Sequence, residues 1–102
     1  MKHLLLITLL SFGANAGINE KGMKYCESLE KAATITMKAR QNGESMRKLI
    51  ERANGEKVLI LLITDAYEKR RFLSDDNKKR AVEDFSNSVY MACYEQLSKE
   101  SK

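Results

Sequence analysis

Apolar residues recur every three or four positions over most of the chain, which is the spacing of one face of an α-helix. Gly22, Gly43 and Gly55, together with the polar run Ser74 to Asp76, divide this pattern into segments, and no proline interrupts it. No internal repeat or low-complexity segment is present. The pattern predicts an all-α fold, a small bundle of about four helices.

Three segments show a clear inward face. The first ends before Gly43, a residue suited to the position after a helix. The second is short and lies between Ser45, a good N-cap, and Asn54-Gly55, whereas the last starts after Ser74. The predicted inward positions are Cys26, Leu29, Ala33, Met37 and Arg40 in the first segment, Met46, Leu49, Ile50 and Ala53 in the second, and Val82, Phe85, Val89, Ala92, Cys93 and Gln96 in the last.

Residues 58–64 read VLILLIT and fit either a buried strand or a buried helix, because periodicity does not separate the two. No second strand candidate exists to pair with this one. The apolar pattern also continues without a turn signal as far as Arg70. We therefore predict a helix over about residues 56–71, placed at the centre of the bundle.

The N-terminal residues have the pattern of a secretory signal peptide. Lys2 precedes an apolar run from Leu4 to Leu10, and Ala14-Asn15-Ala16 fits the site cut by signal peptidase. We predict that residues 1–16 are cleaved, that residues 17–102 form a single helical domain, and that this domain is periplasmic or secreted. The apolar run is far shorter than the ~20 residues of a membrane span, so no transmembrane segment is expected after cleavage.

The predicted export also bears on whether the protein binds DNA. In residues 37–46, MKARQNGESM, a break between two helices precedes a basic segment, as in a DNA-binding helix-turn-helix. The mature chain would carry 17 basic and 14 acidic residues, a net charge of only +3. Arg47, Lys48 and Arg52 also lie among Glu44 and Glu51. We expect an ordinary connection between packed helices, and no nucleic-acid partner.

Two cysteines, Cys26 and Cys93, lie near the two ends of the mature chain, each on the apolar face of its helix. In an oxidising compartment two cysteines favour one disulfide, here between the first and last helices. In a small domain such a bridge contributes roughly 4 kcal/mol in the chain-entropy model. The alternative is a pair of free, buried thiols.

The residues offer little for catalysis. The only histidine, His3, lies in the predicted signal peptide, and the chain has no CxxC motif, phosphate-binding glycine loop or EF-hand spacing. Asp75 and Asp76 lie where acidic residues favour the positive end of a helix. We expect no catalytic residue, no metal, no cofactor and no enzymatic activity.

Two surfaces are candidates for partner contact. The turn after the first helix is polar and distinctive, although its side chains could instead bond neighbouring helix ends. The segment AYEKRRF, residues 66–72, is followed by basic residues 78–80 and suits an acidic protein, anionic lipid or sugar polymer. Its alternative is a solvated helix end with Phe72 anchoring the loop. The candidate contacts are Arg40, Gln41, Met46, Tyr67, Arg70 and Arg71.

Several of these residues recur in a known pattern. The segments CESLEKAATITMKARQNGESM and DAYEKRRF, with the later KKRAVEDFSNSVYMAC, resemble small exported proteins of prophages and phages of Gram-negative bacteria. The resemblance covers most of residues 26–93 and implies an exported protein of phage context, without a specific activity. In layout alone the chain is also similar to Spackle, a phage periplasmic immunity protein that blocks a tail lysozyme. The residues that carry the family pattern are Met37, Arg40, Gln41, Gly43 and Met46, then Ala66 and Tyr67, then Val89, Tyr90 and Cys93.

These observations lead to one leading functional hypothesis. We predict a periplasmic module that binds a protein partner, inhibits or modulates a cell-wall lytic enzyme, or excludes a second phage. The alternatives are a holdase chaperone of the acid-stress type and a basic, envelope-associated structural protein. Weak contact with anionic components of the envelope is expected in addition.

Overall fold

A computed structural model describes residues 18–100, and within them the fold consists of four α-helices and no strand. The helices are α1 (Glu20–Gln41), α2 (Met46–Ala53), α3 (Lys57–Glu68) and α4 (Asp75–Glu100). The predicted all-α bundle is therefore confirmed, and VLILLIT is helical. The predicted signal peptide lies outside the described residues. None of the helices within them is long and apolar enough to cross a membrane.

The two long helices, α1 and α4, pack against each other in antiparallel directions. Near one end of the pair, Cys26 and Cys93 form a disulfide with their Cα atoms 5.6 Å apart. Further along, the hydroxyls of Thr34 and Ser86 lie 2.7 Å apart and share a hydrogen bond. The predicted disulfide between the first and last helices is thus confirmed.

The helix ends follow the predicted capping residues. The side chains of Ser45 and Ser74 accept hydrogen bonds from the backbone of α2 and α4, at 3.4 Å from Lys48 N and 3.1 Å from Asn77 N. At the end of α1, Gly43 has φ +84°, and its N–H donates to the carbonyl of Arg40. Since Glu44 N also donates to Ala39 O, the helix ends in a Schellman motif, in which Gly43 supplies the left-handed conformation.

The core lies where α3 crosses the α1–α4 pair. All three helices contribute to this cluster, and each member is at most 8% exposed. A second cluster joins α2 to α3 and to the C-terminal part of α1. The first cluster consists of Ala33, Met37, Leu62, Ala66 and Phe85. The second consists of Ala39, Leu49, Ala53 and Ile63.

Some sequence predictions were wrong in detail. The helix predicted over residues 56–71 ends at Glu68, because side chains of α1 bind the backbone of the next residues, as described below. Met46 is 38% exposed, since it lies at the very start of α2. Ala92 and Gln96 are also exposed, because no third helix covers that end of α4.

Candidate functional site

The last residue of α1, Gln41, binds the backbone that follows α3. Its side-chain Nε2 donates to the carbonyl of Arg70 at 2.9 Å, and its Oε1 accepts from the N–H of Phe72, also at 2.9 Å. The residue is only 1% exposed. The side-chain amide of Gln41 thus pairs with a backbone carbonyl and a backbone N–H two residues apart, as an adjacent β-strand would. These two bonds fix the path of residues 69–72.

The neighbouring Arg40 donates hydrogen bonds to the carbonyl of Lys69, the C-cap residue of α3. Its Nε and Nη2 both donate to the carbonyl of Lys69, at 3.0 and 2.8 Å. The guanidinium also lies over the ring of Tyr67, 5.1 Å from its centroid. The last carbonyls of a helix have no hydrogen-bond donor within the helix, and at the end of α3 Arg40 of α1 supplies that donor.

Tyr67 connects this network to the turn between α1 and α2. Its hydroxyl donates to the carbonyl of Glu44 at 2.7 Å. Burial, with a smaller contribution from the Glu44 carboxylate, raises the pKa of this hydroxyl above its ordinary 10.0, against the opposing effect of the Arg40 and Arg52 guanidiniums. Arg71 adds a longer bond, 3.4 Å from its Nη2 to Gln41 O.

The structure therefore brings together five of the six candidate contact residues, and Met46 lies apart at the start of α2. Arg40 and Gln41 bind the backbone that follows α3, which is the role predicted as the alternative to partner contact. Tyr67 is half-buried and bonds to the turn at Glu44. Arg70 and Arg71 remain exposed. Their contact with a partner stays a prediction, and Gln41 could be reached only after this part of the fold opened.

Next to the network, an apolar groove of about 450 Å³ runs between α1 and α2, with α3 as its floor. The Tyr67–Glu44 bond holds the turn that joins the two walls. The groove is not evident from the sequence pattern. Its lining is apolar apart from one threonine and consists of Ala32, Ile35, Thr36, Ala39, Leu49, Ala53, Leu59 and Ile63. Its polar rim consists of Lys38, Asn42, Glu44 and Arg52.

The floor and the mouth of the groove differ in exposure. Ile63 on the floor is 4% exposed and Leu49 on the α2 wall is 6% exposed, whereas Ile35 is 68% exposed at the mouth. On the rim, Arg52 pairs with Glu44 at 3.4 Å. Lys38 makes no ion pair with any residue that the structure describes. The rim therefore offers positive charge beside exposed apolar surface.

Residues 18–100 contain no group of three histidine, cysteine or acidic side chains placed to hold a metal ion. Both cysteines are in the disulfide. Whether the protein lacks a metal, a cofactor and catalytic residues altogether stays a prediction.

No protein-family model, curated protein or solved structure matches the chain. The resemblance to exported phage proteins and the layout shared with Spackle therefore stay predictions as well.

Proposed function

We propose that the protein is an exported, helical protein-binding module that holds an amphipathic helix of its partner in the groove between α1, α2 and α3. The observation that carries this proposal is Ile35. It lies within the long helix α1 and is 68% exposed at the mouth of an apolar groove. Covering such a side chain removes apolar surface from water and favours association.

The shape of the groove suits a helix. Two helices form its walls and a third forms its floor, so a partner helix would occupy the position of an additional bundle helix. Such a ligand presents apolar side chains at positions i, i+3 or i+4, and i+7. Leu59 and Ile63, four residues apart on α3, offer a matching apolar ridge on the floor.

The rim adds a preference for acidic partners. Lys38 has no carboxylate partner within the described residues, and the exposed Arg52–Glu44 pair is of the kind that contributes little to stability. A carboxylate beside the apolar stripe of the partner helix would pair with Lys38. Rim charges of this kind mainly increase the association rate and the specificity.

The signal-peptide pattern and the resemblance to exported phage proteins support a partner in the periplasm. Within that compartment we propose a cell-wall lytic enzyme, or a component of a second infecting phage, as the partner. Binding through the groove would inhibit or modulate the enzyme. The holdase alternative has no comparable observation in its favour.

The test is capture from periplasmic extract with the mature chain, followed by titration of the purified captured protein. Ile35→Gln should weaken binding at least tenfold, because it removes a central apolar contact while retaining a helix-forming residue. Leu61→Gln is the matched control, since Leu61 is 67% exposed on α3 but lies outside the groove. It should bind as the unaltered protein does.

Both variants should melt like the unaltered protein, because each side chain is exposed. Equal affinity of the Ile35→Gln variant and the unaltered protein would contradict the proposal. If the captured protein degrades peptidoglycan, its activity should fall on addition of the unaltered protein and remain unchanged with the Ile35→Gln variant.

A further inference from the structure

The connection between α3 and α4 presents a leucine to solvent. Leu73 is 98% exposed, more than any other large apolar residue among residues 18–100. The preceding residue, Phe72, turns the other way and lines a cavity together with Met37 and Phe85. The connection thus places one apolar side chain inward and the next one outward.

Local geometry explains why Leu73 has no cover. Ser74 is the N-cap of α4, so Leu73 occupies the position from which a hydrophobic staple usually packs on the fourth helical residue. That residue is Lys78, which offers no apolar partner. The backbone just before Leu73 is held by Gln41 through the N–H of Phe72, so the leucine protrudes from a fixed segment.

Basic residues surround this leucine on both sides in sequence. Residues 68–80 contain six basic and three acidic side chains. Lys69 pairs with Asp65 at 3.7 Å, and Arg71 bonds to the carbonyl of Gln41. The acidic residues Asp75 and Asp76 lie in the first turn of α4, where they favour the helix dipole. Within the described residues, Lys79 and Arg80 have no ion pair.

We propose that this connection docks the protein on the surface of a bilayer containing anionic phospholipid. Leu73 enters the interfacial region, and the flanking basic side chains contact lipid phosphates. A membrane suits this surface better than an acidic protein because the leucine protrudes singly and is 98% exposed, with no apolar groove around it to hold a protein side chain. This contact uses no residue of the groove and does not depend on the proposed function.

The binding is expected to be weak and reversible, because one leucine and a few cations provide much less attraction than an acyl anchor. It would concentrate the module at the membrane. The positive charges should make the binding sensitive to salt, since a surface charge is screened over about 8 Å at physiological ionic strength.

The test is sedimentation of the mature chain with vesicles of phosphatidylglycerol and phosphatidylcholine, compared with vesicles of phosphatidylcholine alone. The unaltered protein should bind the anionic vesicles selectively. Leu73→Gln should reduce the partition coefficient about tenfold, the loss expected when a leucine no longer leaves water. Lys79→Glu with Arg80→Glu should reduce it at least as much.

Leu61→Gln is again the matched control, because Leu61 is an exposed leucine beside Asp65 and Glu68. It should leave vesicle binding unchanged, and circular dichroism should show the same helix content in every variant. Unchanged binding of the Leu73→Gln variant would overturn the proposal, even if charge reversal abolished binding, because the leucine would then be uninvolved. Equal binding to neutral vesicles would overturn it as well.

Discussion

The two halves of the α1–α4 pair are held together in different ways. Where α3 crosses the pair, Ala33, Met37 and Phe85 are each at most 3% exposed and pack with α3. Beyond α3 the pair continues as a two-helix arm, formed by residues 20–30 and 90–100. In this arm the only buried residues are Cys26 and Cys93.

Apolar side chains of the arm remain accessible instead. Tyr25 is 50% exposed and Met91 58%, because a two-helix layer has no third element to cover its faces. The disulfide therefore lies where burial contributes least. The comparison indicates that a covalent bond substitutes in the arm for the packing that α3 provides elsewhere.

Of the changes considered, removal of the disulfide should have the largest effect on the stability of the arm. We expect Cys26→Ala with Cys93→Ala to lower the free energy of unfolding by about 4 kcal/mol, because the unfolded chain regains the entropy of an open loop. Denaturant titration measures this loss. Amide hydrogen exchange should show the greatest loss of protection in residues 20–30 and 90–100.

The unaltered protein in the presence of a reductant is the control, and it should reproduce the behaviour of the double variant. If protection fell equally in the arm and around Leu62, the arm would not be the region that depends on the disulfide.

A smaller effect is expected from Gln41, which lies in the region covered by α3. Gln41→Met keeps the volume of the side chain but leaves Arg70 O and Phe72 N without their partner. Losing these two partly buried bonds should lower the free energy of unfolding by about 2–3 kcal/mol. Gln96→Met is the matched control on the exposed surface of the arm, and we expect a change below about 0.5 kcal/mol.

This pair of variants also separates the two roles considered for Gln41. A partner-contact role alone predicts normal melting with weakened capture of the partner. Normal melting together with full capture would show that Gln41 is important for neither.

The smallest effect concerns Tyr67. Tyr67→Phe removes the hydrogen bond to Glu44 O and should cost about 1 kcal/mol at neutral pH. Because the pKa of this hydroxyl is raised in the folded state, its contribution is complete below pH 10.0 and declines as the pH rises through the raised pKa. The difference in stability between the two proteins should therefore shrink above pH 10.0. A constant difference between neutral and strongly alkaline pH would contradict the raised pKa.

The sequence predicted those features that local residues determine. The serine caps at Ser45 and Ser74 and the glycine at Gly43 act within one helical turn, so spacing was sufficient to place the helices. Cys26 and Cys93 could be paired because no other cysteine exists. In each of these cases the sequence allowed few other helix boundaries or cysteine pairings.

Features that join distant residues were not predictable in the same way. The end of α3 depends on Arg40 and Gln41, which lie 29 residues before the carbonyls that they bind. Local pattern therefore extended the helix to Arg71. The groove likewise requires α1, α2 and α3 to be placed together, and nothing in the spacing of Ile35 distinguishes it from a scattered surface residue.

The position of the disulfide also determines how the protein responds to proteolysis. Because Cys26 and Cys93 are 67 residues apart, the groove and the Leu73 connection both lie on the covalently closed part of the chain. A single cut in the exposed connection between α3 and α4 would leave both fragments joined, with the mass of one intact chain plus one water. The nicked molecule would separate into two fragments only after reduction.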